Sequence, residues 1–460
     1  MCEINDNLNL LTDINLTKGQ LENGITYYLY NTNCSDNKII LSLVVKIGCV
    51  VEELGQRGAA HFIEHLCLAD SSYFSTEDGN SLYDIISSGY TNFDETIFML
   101  ECLPLRENIE RSILALRKIA DGTIMRSDRV EWVRRGILNE YKNISKRIDF
   151  KIRQKILPLI LNNSYYSSLM PIGEPECLNS IDYSSVVEFH HRWYRPELMA
   201  IIVAGNIETN SVRELVQNYF SSIVKSELDK QRLYTCIAPY ENKKYAVNYF
   251  KNLNCIEIHM YFMHHMHEMR LVCDMKRKLT EWMSYYMTEI YIQKAFKDMS
   301  VNANDVICKK DHFLNKYEFS VIAIKAESDI VRLLSVMVEQ LRVIAEYGIS
   351  EKDFAECKNF FLNNITNNYK EEQINTPKVL YRECQNNFLY GEPILSIDDE
   401  YKLSLNLINE ISLADIMECQ QLLFSNSNIA YAVNFPDNQF YHAESNMIID
   451  YLNKIGCTAN

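Results

Sequence analysis

The sequence has little glycine and proline, and it has too few basic residues to balance its acidic ones. With 14 Gly and 9 Pro among 460 residues it does not resemble a collagen-like or disordered chain, and 47% hydrophobic with 23% charged residues is typical of a globular protein. The net charge of -15 argues against nucleic acid as a partner, because such binding depends on clustered positive charge.

Long apolar runs and paired cysteine motifs are also missing. No stretch approaches about eighteen uninterrupted apolar residues, so we expect no membrane-spanning helix. The N-terminal stretch MCEINDNLNLLTDIN has neither the basic nor the apolar region of a secretory signal. The 14 cysteines are scattered without a C-x-x-C pair, as expected of buried thiols in a reducing compartment. Together these absences predict a cytoplasmic protein.

Strand and helix patterns alternate along the chain, and their order partly repeats. ITYYLY, IILSLVVKIG and TIFMLECL predict strands of a first sheet, and KKYAVNYF, CIEIHMYFM and KYEFSVIAIKA predict strands of a second. The buried strand MAIIVAG of the first half has a counterpart in IAYAVNF. We therefore predict an α+β fold of two structurally repeated units, each a mixed sheet covered by helices, over residues 1–225 and 245–460 with a linker over 226–244.

HFIEH, residues 61–65, places two histidines four positions apart with a glutamate before the second. On a helix, His61, Glu64 and His65 share one face. Neutral imidazoles bind Zn²⁺ well, and a hydrolytic zinc site takes three protein ligands and leaves the fourth position to water. Glu64 would be the general base for that water. The motif alone also fits an amphipathic helix that carries two histidines without a metal.

The stretch NGITYYLYNTN…IILSLVVKIGCVVEELGQRGAAHFIEHL leads from two strands into this motif, whose HxxEH order is the inverse of HExxH and marks the inverzincins. It closely resembles the pitrilysin, insulysin and mitochondrial-processing-peptidase superfamily, in the form of its compact bacterial-type members. The resemblance implies a third zinc ligand on a helix ending in Leu-x-Glu, which here is Glu140 in RRGILNEYKN, 75 positions after His65. It also implies that the two units form half of a clamshell chamber.

Two features depart from the family pattern. Many members carry a second glutamate seven positions before the ligand glutamate, but here that position is Val133, and Glu131 lies on a different helix face. Loss of such a supporting group weakens metal binding without abolishing it. The family's substrate-binding Arg and Tyr fall on Lys297 and Asn304. Lysine loses the bidentate geometry of arginine, and asparagine keeps a hydrogen-bond donor.

These substitutions leave two interpretations open. Either the second half is degenerate and the protein is weakly active, or the chain is the zinc-bearing subunit of a heterodimer whose related partner completes the site, with a homodimer as the alternative. The resemblance also implies that a peptide substrate adds as an extended strand beside SGYTNFDETIFML. Asn92 in this stretch is a candidate substrate contact, and a turn residue is the alternative.

We therefore predict a zinc-dependent endopeptidase subunit that hydrolyses short or unfolded peptides, with Zn²⁺ on His61, His65 and Glu140 and with Glu64 as the base. Removal of a leader from a ribosomally made peptide is one setting that the resemblance implies. The alternative is a non-catalytic peptide-binding subunit or chaperone of a peptidase complex, which the departures in the metal and substrate motifs favour.

Overall fold

The computed structural model of the protein describes residues 10, 13–32, 38–69, 84–224, 236–300, 303, 305–313, 316–327, 329–374, 376–424 and 428–459. In these ranges the chain forms two six-stranded sheets, each covered by helices. Helices with the length and apolar character of a membrane span are absent from the same ranges.

The first unit contains one mixed sheet and the helices that pack on it. Its strands are β1 (Leu16–Gln20), β2 (Thr26–Asn31), β3 (Ile39–Val45), β4 (Ile86–Thr91), β5 (Thr96–Cys102) and β6 (Met199–Gly205). Its helices are α1 (Ala59–Leu68), α2 (Arg106–Ala120), α3 (Val130–Ile144), α4 (Ile148–Ile160), α5 (Pro175–Ser180), α6 (Tyr183–Trp193) and α7 (Thr209–Phe220). The strand order is β1-β2-β6-β3-β5-β4, and only β2 and β6 pair in parallel among these described strands.

The second unit has the same kind of sheet. Its strands are β7 (Lys243–Phe250), β8 (Ile256–His265), β9 (Asp305–Phe313), β10 (Tyr317–Ala326), β11 (Ile429–Pro436) and β12 (Cys457–Ala459). Its helices are α8 (Val272–Asp298), α9 (Ile330–Tyr347), α10 (Glu351–Ile374), α11 (Thr376–Tyr390), α12 (Ile397–Glu410), α13 (Leu413–Phe424) and α14 (Gln439–Lys454). The strand order is β12-β7-β11-β8-β10-β9.

The two sheets repeat one topology. Strands β2, β6, β3, β5 and β4 stand in the same order as β7, β11, β8, β10 and β9. The parallel pairs correspond as well, because Tyr28 lies opposite Ile202 in the first sheet and Tyr245 lies opposite Tyr431 in the second. Helix α1 follows β3 just as helix α8 follows β8. The structure therefore confirms the predicted duplication of an α+β unit.

One helix of each unit packs on the sheet of the other unit. The sequence did not predict this exchange. Helix α11 of the second unit packs on the first sheet, where Leu380 is buried in one cluster with Tyr28 and Ile202. Helix α4 of the first unit packs on β7 and β11, and its Ile156 is buried in one cluster with Phe319. Burial of each large apolar side chain contributes about 1.5–3 kcal/mol. The exchange therefore joins the two units through apolar contacts on both sheets.

The limits of the two units stay a prediction. The predicted linker, 226–244, begins on residues outside the described ranges, and from 236 onward the chain is irregular until β7 starts at Lys243. Here the main-chain N–H of Ile237 donates to the hydroxyl of Tyr317 over 2.8 Å. The hydroxyl of Tyr240 donates to the main-chain oxygen of Ile160 over 2.6 Å. The described end of the connection is thus hydrogen-bonded to both units.

Candidate metal centre

Helix α1 carries two of the three candidate ligands. It begins after Gly58, whose φ of +97° lies in the left-handed region that glycine adopts without strain. Phe62 and Ile63 are buried in the core of the first unit and anchor the helix there. The side chains of His61 and Glu64 are also largely buried, at 8% and 5% exposed. The HFIEH helix predicted from the sequence is therefore present, and most of its residues are buried.

Helix α3 brings the third candidate ligand to α1. Its buried stripe of Val133 and Ile137 continues at helical spacing to Glu140. Glu140 Oε2 lies 3.7 Å from His61 Nε2 and 3.4 Å from His65 Nε2, and the two Nε2 atoms are 3.1 Å apart. Within the described part of the chain, this is the one group of three or more His, Cys, Asp or Glu side chains that could share a metal ion.

The three donor atoms fit a zinc ion. Ligand atoms about 2.0–2.1 Å from a tetrahedral zinc lie about 3.3–3.4 Å from one another. The observed separations of 3.1, 3.4 and 3.7 Å bracket that value. Two imidazoles and one carboxylate are also a ligand set of hydrolytic zinc sites. The structure thus places the three predicted ligands together, and metal binding by them stays a prediction.

The protonation states of the three groups also suit a metal. Burial, with the neighbouring His65, lowers the pKa of His61 to about 4, so its imidazole is neutral at pH 7. Burial lowers the pKa of His65 too, but its contacts with Glu140 and Glu64 outweigh burial and raise it. The hydrogen bond with His65 lowers the pKa of Glu140, which keeps this carboxylate charged. A metal ion would replace the proton that His65 and Glu140 share.

Glu64 stands beside the three ligands. Its Oε2 lies 3.8 Å from His61 Nε2, and burial raises its pKa to about 7, which is the range of an efficient general base at neutral pH. The hydroxyl of Thr91 donates to the same oxygen over 3.2 Å. A Cβ at Gly89 would lie 2.9 Å from the other oxygen, Oε1. Neither Gly89 nor Thr91 was predicted to contact Glu64, because the contact depends on how α1 packs on β4 and no local sequence pattern marks it.

A cleft of about 380 Å³ opens at this cluster. It is lined by His61, Thr91 and Glu140 and by residues of α3, α4 and the segment before α5, namely Ile144, Arg147, Asp149, Phe150, Arg153, Met170, Pro171 and Ile172. Strand β4 is at the end of the described sheet, so one of its edges has no strand beside it there. The candidate contact Asn92 lies in the turn after β4, where its amide donates to Glu95 over 3.0 Å and its main-chain oxygen accepts from Cys49. These bonds match the turn alternative for Asn92.

The position of the missing second glutamate is apolar in the structure. Val133 is 1% exposed and packs in the core. Glu131 is exposed and pairs with Arg134, so it does not replace the missing group. Nδ1 of His61 is buried without a hydrogen-bond partner among the described residues. The contacts of the His61 ring with His65, Glu140 and Glu64 are all made by Nε2, and no described side chain supports its Nδ1.

Of the two predicted substrate-binding residues of the second unit, only Lys297 belongs to the described part of the chain. Lys297 is exposed on the last turn of α8 and does not line the cleft, and Asn304 lies outside the described residues. At the matching end of the second sheet, the ammonium group of Lys310 lies 2.8 Å from Glu281 and 2.7 Å from Glu318. This ion-pair triad joins α8, β9 and β10, which correspond to α1, β4 and β5 of the first unit.

Sequence comparisons relate the chain to named peptidases. A family model described as "Peptidase M16 inactive domain" matches residues 180–260. The protein named "Zinc protease PQQL-like" from Arabidopsis thaliana is 23% identical over 415 residues, which cover 88% of this chain and 40% of that protein. "Probable zinc protease PqqL" from Escherichia coli (strain K12) is 21% identical over 434 residues, which cover 90% of this chain and 46% of that protein. The chain therefore spans less than half the length of these relatives.

A comparison of structures gives the same relationship at the level of the fold. The crystal structure of the first half of the periplasmic protease PqqL from Escherichia coli superposes with a TM-score of 0.82 at 18% sequence identity. The match covers 97% of this chain and 98% of that one. The two-unit α+β architecture is therefore that of a half-clamshell.

Proposed function

Because the chain belongs to the peptidase M16 family, the pitrilysin and insulysin superfamily, we propose that it is the metal-bearing half of a zinc-dependent endopeptidase. One observation carries the proposal: the donor atoms of His61, His65 and Glu140 meet within 3.7 Å of one another, with Glu64 beside them. The names of two relatives, "Zinc protease PQQL-like" and "Probable zinc protease PqqL", support the same activity.

The residues divide the chemistry between them. His61, His65 and Glu140 would hold a zinc ion, which supplies Lewis acidity and lowers the pKa of a bound water. Glu64 takes the proton from the attacking water and returns it to the leaving amine, for which a pKa of about 7 is well suited. The hydroxyl of Thr91 donates to Oε2 of Glu64, the oxygen that lies 3.8 Å from His61 Nε2, and so holds this carboxylate beside the three ligands.

The edge of β4 that has no strand beside it in the described sheet is the proposed binding place of the substrate. A peptide that adds to this edge as an extended strand would run past Glu64, because Thr91 of β4 contacts Glu64 directly. Main-chain hydrogen bonds would provide most of the affinity, which gives weak side-chain selectivity. Only short or unfolded peptides can present an extended segment of this kind. Asn92 at the end of the strand stays a candidate contact.

We propose that a second half-chamber completes the site. Lys297 is away from the cleft, and PqqL from Escherichia coli is more than twice as long as the part that matches this chain. A related subunit in a heterodimer would supply the missing substrate-binding groups, with a homodimer or a further segment joined to the same chain as alternatives. Removal of a leader from a ribosomally made peptide is one reaction that such a complex would perform.

The proposed location is the cytoplasm. Burial raises the pKa of the Cys49 and Cys67 thiols, and both lie in the apolar interior as free cysteines. Buried thiols of this kind suit a reducing compartment.

A non-catalytic peptide-binding subunit is the second candidate. Val133 in place of a glutamate, the unpartnered Nδ1 of His61 among the described residues, and the match of residues 180–260 to a domain described as inactive favour it. This candidate retains the cleft and the β4 edge and differs in turnover alone.

Metal analysis and one substitution test the proposal. The purified protein is expected to hold one zinc per chain, and Glu64→Gln is expected to keep that zinc while losing peptide hydrolysis by about 10²–10⁴-fold, because the general base is removed. Glu131→Gln, which changes an exposed glutamate of α3, is the control and should behave as the wild type. Fluorogenic unstructured peptides serve as substrates, with and without candidate partner subunits.

Each outcome separates the candidates. Hydrolysis that appears only on mixing supports the two-subunit enzyme, and tight peptide binding without turnover under any mixture supports the binding subunit. Absence of zinc from the purified protein, together with no uptake on titration, would show that the metal assignment is wrong.

A further inference from the structure

The N-terminus of helix α1 has an unusual cap. Its N-cap residue is Gly58, which has no side chain to bond the free N–H groups of the first turn. The carboxylate of Glu52, six residues earlier, takes this role, because Oε2 accepts from the N–H of Gly58 over 2.8 Å and Oε1 accepts from the N–H of Ala60 over 2.9 Å. Both oxygens of one side chain are thus bonded to the start of the helix that carries HFIEH.

The cap is adjacent to the candidate metal ligands. Ala60, whose N–H is bonded to Glu52, directly precedes His61, and Glu64 lies one turn further along the helix. A change in the position of the first turn would therefore move His61 relative to Glu140, which belongs to α3. The negative charge of Glu52 also lies at the positive end of the helix dipole, which favours this arrangement.

A second contact fixes the same turn against the cleft. A Cβ on Gly173 would lie 2.5 Å from the Cα of Gly58, so the two backbones pass each other without room for a side chain. Pro171 and Ile172, which precede Gly173, line the cleft. The hydroxyl of Tyr165 donates to the main-chain oxygen of Glu52 and holds that residue in place. The first turn of α1, which Glu52 caps, is therefore packed directly against a wall of the cleft.

We propose that Glu52 is a positioning residue for the metal centre: its carboxylate fixes the first turn of α1 and thereby the places of His61 and Glu64. This inference rests on the proposed function, because it concerns the geometry of that site.

The burial of Glu52 supports a role beyond helix capping. The residue is 1% exposed, and burial raises its pKa, whereas the hydrogen bonds from Gly58 and Ala60 lower it and favour the ionised form. A serine or threonine at the N-cap would bond a free N–H without burying a charge. Departures of this kind from the favoured local arrangement are expected at functional sites.

The test compares Glu52→Gln with Glu53→Gln in the full chain. Glutamine keeps the size of the side chain but removes the charge and turns one acceptor into a donor, so the bond to Gly58 or to Ala60 is lost. We expect about 10–100-fold weaker binding of Zn²⁺, measured by competition with a chelator, and a changed visible spectrum of the Co²⁺-substituted protein. We also expect a lower kcat per bound zinc with an unchanged KM. Glu53 is the exposed neighbour and pairs with Arg192, so its variant should match the wild type.

Thermal unfolding distinguishes positioning from simple support of the fold. If Glu52→Gln lowers the Tm but the folded protein has wild-type zinc affinity and Co²⁺ spectrum, the inference is overturned. If Glu52→Gln does not fold, Glu52→Asp is used instead, because aspartate keeps the charge on a shorter side chain. Glu52→Asp should shift the Co²⁺ spectrum, and an unchanged spectrum overturns the inference. Wild-type protein that binds no zinc refutes the proposed function and this inference with it. Wild type that binds zinc, with Glu52→Gln equal to Glu53→Gln, refutes this inference alone.

Discussion

The hydroxyl of Thr91 donates a hydrogen bond to Oε2 of Glu64 over 3.2 Å. Thr91 is the last residue of β4, the strand at the end of the described first sheet, and Glu64 is the candidate base on α1. The bond therefore links the proposed substrate edge to the proposed base. A peptide paired with β4 would be held in a fixed register relative to Glu64, which is a requirement of efficient proton transfer.

Replacing Thr91 by valine should slow catalysis without loss of metal. Valine has nearly the same shape but no hydroxyl, so Glu64 loses one hydrogen bond to its charged form. Such bonds are worth about 1.5–3 kcal/mol, which corresponds to roughly 10–100-fold in kcat. Thr17→Val on β1, at the opposite edge of the same sheet, is the matched control. Steady-state kinetics with zinc analysis check the prediction, and an unchanged kcat in Thr91→Val contradicts it.

The parts of the site that the sequence predicted are those joined by a short motif or a family spacing. His61, Glu64 and His65 lie within one helical turn, so periodicity alone places them on one face. Glu140 is on another helix, and only the family resemblance related it to His65. Contacts that depend on tertiary packing, such as Thr91 with Glu64, were not predictable from local pattern.

In the fold as well, elements with a clear local pattern were predicted, whereas features that depend on tertiary packing were not. The strands rich in apolar residues, such as β3 and β6, were predicted from their apolar runs, which are typical of strands buried on both faces, and every residue in them is buried. The edge strands β1 and β9 carry mixed polar residues, and they were missed because no apolar pattern marks them. The exchange of α4 and α11 between the units depends on which face of each sheet is available for packing. The periodicity of a helix shows that it has an apolar face, but it does not show on which sheet that face packs.

A methyl group at Gly89 should displace Glu64. The Cβ of Gly89→Ala would lie 2.9 Å from Oε1 of Glu64 and 2.9 Å from the main-chain oxygen of Ile97, and the second atom is fixed by strand pairing. We therefore expect a kcat reduced by about 10-fold or more, with zinc retained on its three ligands. Gly55→Ala is the control, because its Cβ would meet no atom within 4 Å. A Gly89→Ala protein with wild-type kcat would show that Glu64 tolerates the change.

The ion-pair triad of the second unit should be structural. Lys310→Met removes the positive charge that the buried Glu281 and Glu318 share, and it leaves Glu281 with Arg277 alone, 4.0 Å away. Breaking a buried pair in this way costs about 3–5 kcal/mol. Chemical denaturation should show this loss, and zinc content should stay at one per chain. Lys309→Met is the matched control, because Lys309 is exposed and pairs with Asp311 at 3.6 Å. Equal stability of the two variants contradicts the prediction.

His190 should make the protein less stable in acid. Its side chain is 2% exposed, its Nε2 donates to the main-chain oxygen of Ile119 over 2.9 Å, and burial lowers its pKa to about 4. An unfolded histidine binds its proton near pH 6.5, so between about pH 6.5 and 4 the unfolded state holds more protons than the folded state. The stabilising contribution is therefore complete above about pH 6.5 and is lost as the pH falls towards 4, by at most about 1.4 kcal/mol per pH unit.

The variant His190→Gln tests this pH dependence, because glutamine keeps a donor for Ile119 but does not titrate. The free energy of unfolding of the variant should therefore fall less steeply between about pH 6.5 and 4 than that of the wild type. Denaturant unfolding from pH 4 to 7 checks this, with the exposed His191→Gln as control, and parallel curves for wild type and His190→Gln would refute it.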